Sequence, residues 1–167
     1  MSSTFVAILM GSDSDLPVMQ STIDILKKFD ITHEVRVRSA HRTPDAAKAY
    51  VKDAEARGCK VFICAAGLAA HLAGAVAGMT TRPVIGVPID CGPLQGHDAL
   101  LSTVMMPGGI PVATVAIGKA GAKNAGYLAA QILAVADETI AEKVQAERIA
   151  NAQALLAKDD ALQAKLS

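Results

Sequence analysis

The sequence predicts an α/β fold: a parallel, doubly wound sheet covered on both faces, three layers in all, with a C-terminal helix extension. Three observations carry this expectation. Strand-like and helix-like segments alternate five times along the chain. The runs TFVAILM and VFICAA are apolar almost throughout, as strands buried on both faces are. Polar turns follow the strand candidates, where a crossover helix must start.

The elements follow in order. Residues 4–10 form the first strand, and GSDSD turns the chain at Gly11. Ser14 or Asp15 can cap the next helix, with Pro17 in its first turn. Leu16, Met19, Ile23 and Leu26 recur at helical spacing up to about Phe29. Residues 32–38 alternate polar and apolar, as a strand nearer an edge does. In SAHRTPD, Thr43 reads as an N-cap before a proline at the first helical position, and Gly58 ends that helix after Arg57. Further strands are expected at 60–65, 83–88 and 111–117. Helices are expected at 68–78, 98–105, 121–135 and 137–157. The final helix carries Ile140, Val144, Ile149, Leu155 and Leu156 after the sheet is complete. Such a helix either packs on another subunit, which predicts an oligomer, or folds back over its own sheet.

At 167 residues a single domain over 1–167 is expected. With 51% apolar but only 3% aromatic residues, its core must be aliphatic. Alanine-rich stretches in the second half let elements approach closely. Sixteen basic residues balance sixteen acidic ones, which leaves no electrostatic footprint for nucleic acid or an anionic membrane. Cys59, Cys64 and Cys91 are odd in number and match no zinc spacing, so a reducing, cytoplasmic setting is expected. The N-terminus has no basic n-region, and no apolar run is long enough to span a membrane.

Chemistry concentrates in three loops. Gly11 to Asp15 follows the first strand, Ser39 to Pro44 the second and Ala66 to Gly74 the third. In a doubly wound sheet these loops share the carboxyl edge, where ligands bind. The first loop fits either plain N-capping or ligand binding. Serine hydroxyls and helix N–H groups suit a phosphate, whereas Asp15 suits ribose hydroxyls. In the second loop, Arg42 offers a fixed cationic fork for phosphate and His41 a proton carrier near neutral pH. His71, in an apolar stretch, is assigned a supporting place at the site, although a core or capping histidine fits the same pattern. His97 either approaches the site or is solvated, and His33 is read as surface. No metal-ligand spacing, nucleophile elbow, dinucleotide fingerprint or Walker A motif is present. No metal is therefore expected, and no dinucleotide or nucleoside triphosphate as cofactor.

The motifs MGSDSD, SAHRTP, AAHLAG, GVP and MPGGIPVATVAIGKAGAKNA, in this order, resemble the PurE proteins of purine biosynthesis over about residues 6–133. The resemblance implies a flavodoxin-like fold, a homo-octamer with sites between subunits, and a ribonucleotide substrate. Within the family, direct carboxylases typically carry SAHKT and a GRSN-like third loop. Arg42, Thr43 and Pro44, with Ala69, Ala70 and His71, instead resemble the mutase class. That class converts N5-carboxyaminoimidazole ribonucleotide to 4-carboxy-5-aminoimidazole ribonucleotide.

The resemblance implies His41 as general acid/base, with His71 also catalytic. Ser12, Ser14, Asp15, Ser39, Ala40, Arg42, Gly67, Ala70 and Leu72 are then substrate-binding. Arg42, Ser12 and Ser39 would hold the phosphate end and Asp15 the ribose. The chain departs from the family at Leu68, where glycine is common, and at Ala73, where proline is. It also departs at Cys91, Pro93 and His97 in the following loop.

Rival readings are a direct carboxylase, a receiver-type module using Asp13, Asp15 and Lys119, and a flavin carrier. The receiver lacks an aspartate at the end of the third strand, which reads Ala65-Ala66-Gly67. The flavin carrier lacks aromatics to stack on its ring.

Overall fold

The computed structural model describes residues 4–166. Its core is a five-stranded parallel sheet of β1 (Phe5–Met10), β2 (His33–Val37), β3 (Cys59–Ala66), β4 (Val84–Pro88) and β5 (Ala113–Thr114). The order across the sheet is β2-β1-β3-β4-β5. A 3-10 turn (Asp13–Asp15) leads into α1 (Leu16–Lys28), and α2 (Pro44–Arg57) follows β2. The remaining helices are α3 (Leu72–Ala77), α4 (His97–Val104), α5 (Gly118–Ala134) and α6 (Glu138–Leu166).

The strand sequences explain the layers. Side chains alternate along β1. Val6, Ile8 and Met10 face the cluster formed with Met19, Ile23 and Leu26 of α1 and the alanines of α5. Phe5, Ala7 and Leu9 face Tyr50 and Val51 of α2 and Leu72 and Val76 of α3. Small residues allow α1 and α5 close approach. At Gly126 a side chain would meet Ile25 Cβ at 2.8 Å, and Thr22 Oγ1 donates to the Ala122 carbonyl at 2.6 Å.

Several expectations about element limits are corrected. The helix expected at 68–78 begins only at Leu72, because 67–71 is irregular loop. The strand expected over 111–117 reduces to two residues, Ala113 and Thr114, on the sheet edge. It pairs on one side only, with Ile85 and Gly86. The helix expected at 121–135 starts at Gly118. Thr43 stands at the N-cap of α2 but makes no capping bond. Its hydroxyl accepts from Ser39 N and donates to Ser39 O, closing the second loop on itself. The capping oxygen of the first turn belongs to Ser12, not to Ser14 or Asp15.

The last helix runs to Leu166, past the expected end near 157. Ile140 and Val144 pack against the core, as a helix folded back on its own sheet would. Beyond them Ile149, Leu155, Leu156 and Leu162 are exposed. The fold-back reading thus holds for the proximal half of the helix, and its distal half is left without a covering element among the described residues.

Candidate active site

Parallel register brings the three polar loops together. Met10 pairs with Val37 of β2 and with Ala65 of β3, so the three strands end level. The ladder continues one bond further: Gly11 N–H donates to Ala65 O at 3.0 Å and Arg38 N–H to Met10 O at 2.8 Å. The chain winds outward in opposite directions from β1 and β3, which makes their carboxyl ends the topological switch point. A crevice of about 400 Å³ opens there.

Its walls include ten of the eleven residues proposed from sequence: Ser12, Ser14, Asp15, Ser39, Ala40, His41, Arg42, Gly67, His71 and Leu72. Ala70 is the exception. It is buried and absent from the lining, because its N–H is turned away toward α4. Gly11, Ala66, Leu68, Ala69 and Cys91 line the crevice as well. Cys91 lies in the loop after β4, next to β3 in the sheet, so strand order alone could have placed it there. His97 stays outside the crevice, its Nδ1 3.0 Å from Leu94 O. His33 is half-buried at the edge strand, with Nδ1 2.9 Å from Ile31 O.

The first loop is a capping box. Ser14 N–H donates to Ser12 Oγ, and Ser12 N–H donates to Asp15 Oδ2 at 3.2 Å. Asp15 is thereby held at the crevice floor with only 7% of its surface exposed. Burial there pushes its carboxyl above the ordinary range, against the lowering bond from Ser12 N–H. The folded chain therefore holds this proton more tightly than the unfolded chain. Stability falls as pH rises through the window between the two values, which opens at about 3.8. Asp15→Asn, which has no charge to desolvate, is expected to melt higher than the parent at pH 7. Thermal melts should show that advantage vanishing at low pH, where both states of the parent are protonated; an equal or lower melting point at pH 7 would contradict it.

The second loop crosses to the first. Arg42 Nη2 donates to the Gly11 carbonyl at 2.9 Å, and Arg42 N–H donates to Ser39 Oγ at 3.1 Å. The guanidinium thus reaches the start of the first loop, where its planar fork suits an anion. The second and third loops meet through their histidines. His41 Nε2 lies 2.7 Å from His71 Nδ1, with the rings perpendicular at a centroid separation of 4.9 Å. One of those two nitrogens carries the hydrogen between them. Both imidazoles are exposed to the crevice.

The third loop is tightly constrained. A side chain at Gly67 would overlap Cys91 Sγ, so a larger residue there would displace the Cys91 side chain from the crevice wall. Leu68 adopts a φ of 55°, the left-handed region, which strains a residue that carries a side chain. Its side chain lies over Gly92, whose own φ is 72°. Cys64 is buried in the core, as expected of a small hydrophobe. Among the described residues, no group of three or more His, Cys, Asp or Glu is placed to hold a metal ion. No helix of the described residues is long and apolar enough to cross a membrane.

Fold and site together define a flavodoxin-like α/β protein whose crevice pairs an acid–base imidazole couple with an arginine and a buried carboxylate, the equipment for proton transfer on a small anionic ligand. Comparison with known proteins makes this specific: the profile of the family described as AIR carboxylase matches residues 5–154, and the chain belongs to that family. The N5-carboxyaminoimidazole ribonucleotide mutase of Bacillus subtilis is 52% identical over 157 residues, covering 94% of this chain and 97% of that protein. The mutase of Thermotoga maritima is 56% identical over 140 residues, covering 84% and 81%. The crystal structure of Treponema denticola PurE superposes with a TM-score of 0.87 at 34% identity, covering 95% of this chain and 98% of that one.

Proposed function

We propose that this chain is the isomerase converting N5-carboxyaminoimidazole ribonucleotide to 4-carboxy-5-aminoimidazole ribonucleotide in purine biosynthesis. The observation that carries the reading is His41 within 2.7 Å of His71, in a crevice that also holds Arg42 and Asp15. Relatives bearing the mutase name are more than half identical to it over most of its length.

The chemistry needs one proton carrier. A protonated His41 delivers its proton to N5 as the carbamate C–N bond breaks, releasing carbon dioxide. The electron pair at C4 of the ring then attacks that carbon dioxide, forming the new C–C bond. Neutral His41 removes the C4 proton, aromaticity returns, and the imidazole regains the proton it began with. His71 holds the imidazole of His41 in one orientation through the short nitrogen–nitrogen contact. Arg42 and Ser12 receive the phosphate, and Asp15 the ribose hydroxyls. Ser14, Ser39, Ala40, Gly67 and Leu72 shape the wall around the ring.

Holding carbon dioxide between the two steps requires enclosure. In one chain the crevice is open, with His41 and His71 both exposed. That openness supports a homo-oligomer, by resemblance an octamer, in which neighbouring subunits close the site. The exposed leucines of α6 support its distal half as part of those contacts. We read 1–167 as one domain and place it in the cytoplasm, a reading that the free Cys59, Cys64 and Cys91 support.

The test is an assay of purified protein with the N5-carboxylated ribonucleotide and no added bicarbonate. Formation of the 4-carboxy product is the expected result. A requirement for bicarbonate with the uncarboxylated ribonucleotide would move the chain to direct carboxylation.

A further inference from the structure

We propose that Ser102 of α4 is a positioning residue for the reaction: its hydroxyl sets the β3–α3 loop and, through that loop, places His71 against His41. The proposal rests on the mutase reading above.

Three observations lead to it. Residues 67–71 have no regular structure, and Leu68 holds a left-handed φ of 55°. Such a backbone stays put only when its surroundings hold it. The backbone N–H of Ala70, the residue before His71, reaches out of the loop to Ser102 Oγ at 2.9 Å. Ala70 is only 1% exposed, so removing that acceptor would leave a buried N–H without its partner.

Ser102 is itself oriented. Its hydroxyl has one proton, and the Asp98 carbonyl one turn earlier is the nearest acceptor at 2.6 Å. With the proton committed there, the oxygen's lone pairs face the Ala70 N–H. Leu68 O and Ala99 O lie further off, at 3.4 and 3.3 Å. Thr103 beside it is buried and donates to Ala99 O at 2.7 Å, which anchors this turn of α4. From Ala70 the chain passes directly to His71, whose carbonyl accepts the N–H of Ala75 at the start of α3. The Ser102 bond therefore sets the height at which the His71 ring enters the crevice.

Misplacing a reacting group by about 1 Å, even through a change remote from the chemistry, can cost about 10²-fold in rate. Ser102→Ala is expected to lower kcat about 10–100-fold with KM held within about three-fold. The imidazole nitrogen signals of His41 and His71 should shift by NMR, while those of His33 and His97 should not. Ser102→Thr, which keeps the hydroxyl, should restore both readouts. In the parent protein, the Ala70 amide should exchange slowly with solvent.

The proposal is overturned by a Ser102→Ala variant whose kcat stays within two-fold of the parent. It is equally overturned if the threonine variant is as impaired as the alanine variant. A fast-exchanging Ala70 amide in the parent also sinks it, whether or not the variants fold. An inactive parent would instead refute the mutase reading, and the histidine signals and Ala70 exchange would still judge the placement of Ser102.

Discussion

His41→Asn is expected to lower kcat with the N5-carboxylated substrate by about 10²–10⁴-fold, the usual worth of a positioned acid–base group. Asparagine keeps much of the shape of the imidazole and retains both a donor and an acceptor. Its amide matches the Nδ1 edge of the ring and stops short of Nε2, so the 2.7 Å contact to His71 Nδ1 is given up, while the exposed loop keeps the Arg42 bonds to Ser39 and Gly11. The capacity to take up and release a proton near neutral pH disappears with the ring. Both halves of the proposed reaction need that capacity, since N5 must gain a proton and C4 must lose one. KM should change little, because Arg42 and the Ser12–Asp15 turn remain in place. Steady-state kinetics of the parent and the variant, with folding checked by circular dichroism, decide it. A variant within ten-fold of the parent kcat would remove His41 as the proton carrier.

Gly121→Ala should cause the largest loss of stability, about 2–4 kcal/mol. Gly121 sits in the first turn of α5, directly over the backbone of Ala116. A Cβ there would overlap the Ala116 carbonyl oxygen, and backbone cannot swing aside as a side chain can. The entry to α5 has little room to yield. Gly118, three residues earlier, already takes a φ of 71° with the Asp90 carboxylate beside it. Opening the gap would lift α5 from the sheet, where Ala122, Ala125 and Ala129 are fully buried. For a chain of this size the loss corresponds to a fall in melting temperature of about 5–15 °C. Gly108→Ala provides the control, since a Cβ at Gly108 meets nothing within 4 Å. Melts at matched protein concentration should separate the two; a Gly121→Ala variant melting within 2 °C of the parent would show that the α5 entry yields after all.

Much of the fold was legible because the period of the apolar pattern reports which face of each element is buried. β1 reads as a continuous apolar run since it lies mid-sheet, between β2 and β3, with helices on both faces. β2 alternates because it forms an edge. Errors gathered where local pattern is silent. PVATVAI has the composition of a long strand, yet only Ala113 and Thr114 pair, with Ile85 and Gly86 of β4. The third loop looked helical from Leu68 onward, yet Leu68 and Gly67 are held in an irregular turn by contacts with the Cys91–Gly92 segment. Those contacts join residues more than twenty positions apart, and no window of sequence contains them.

The same division runs through the candidate site. By itself the sequence determined the residue types, their order after each strand and, through the parallel winding, their common edge. Chemistry follows side-chain identity, and the winding follows from short-range periodicity. Only the tertiary structure decided that His41 and His71, thirty residues apart, meet at 2.7 Å. It also decided that Arg42 spans to Gly11, and that the Ala70 N–H leaves the crevice for Ser102. Hydrogen bonds act over about 3 Å. Which groups come within that reach is set by strand register and by the packing of whole helices, and neither is a property of any single loop.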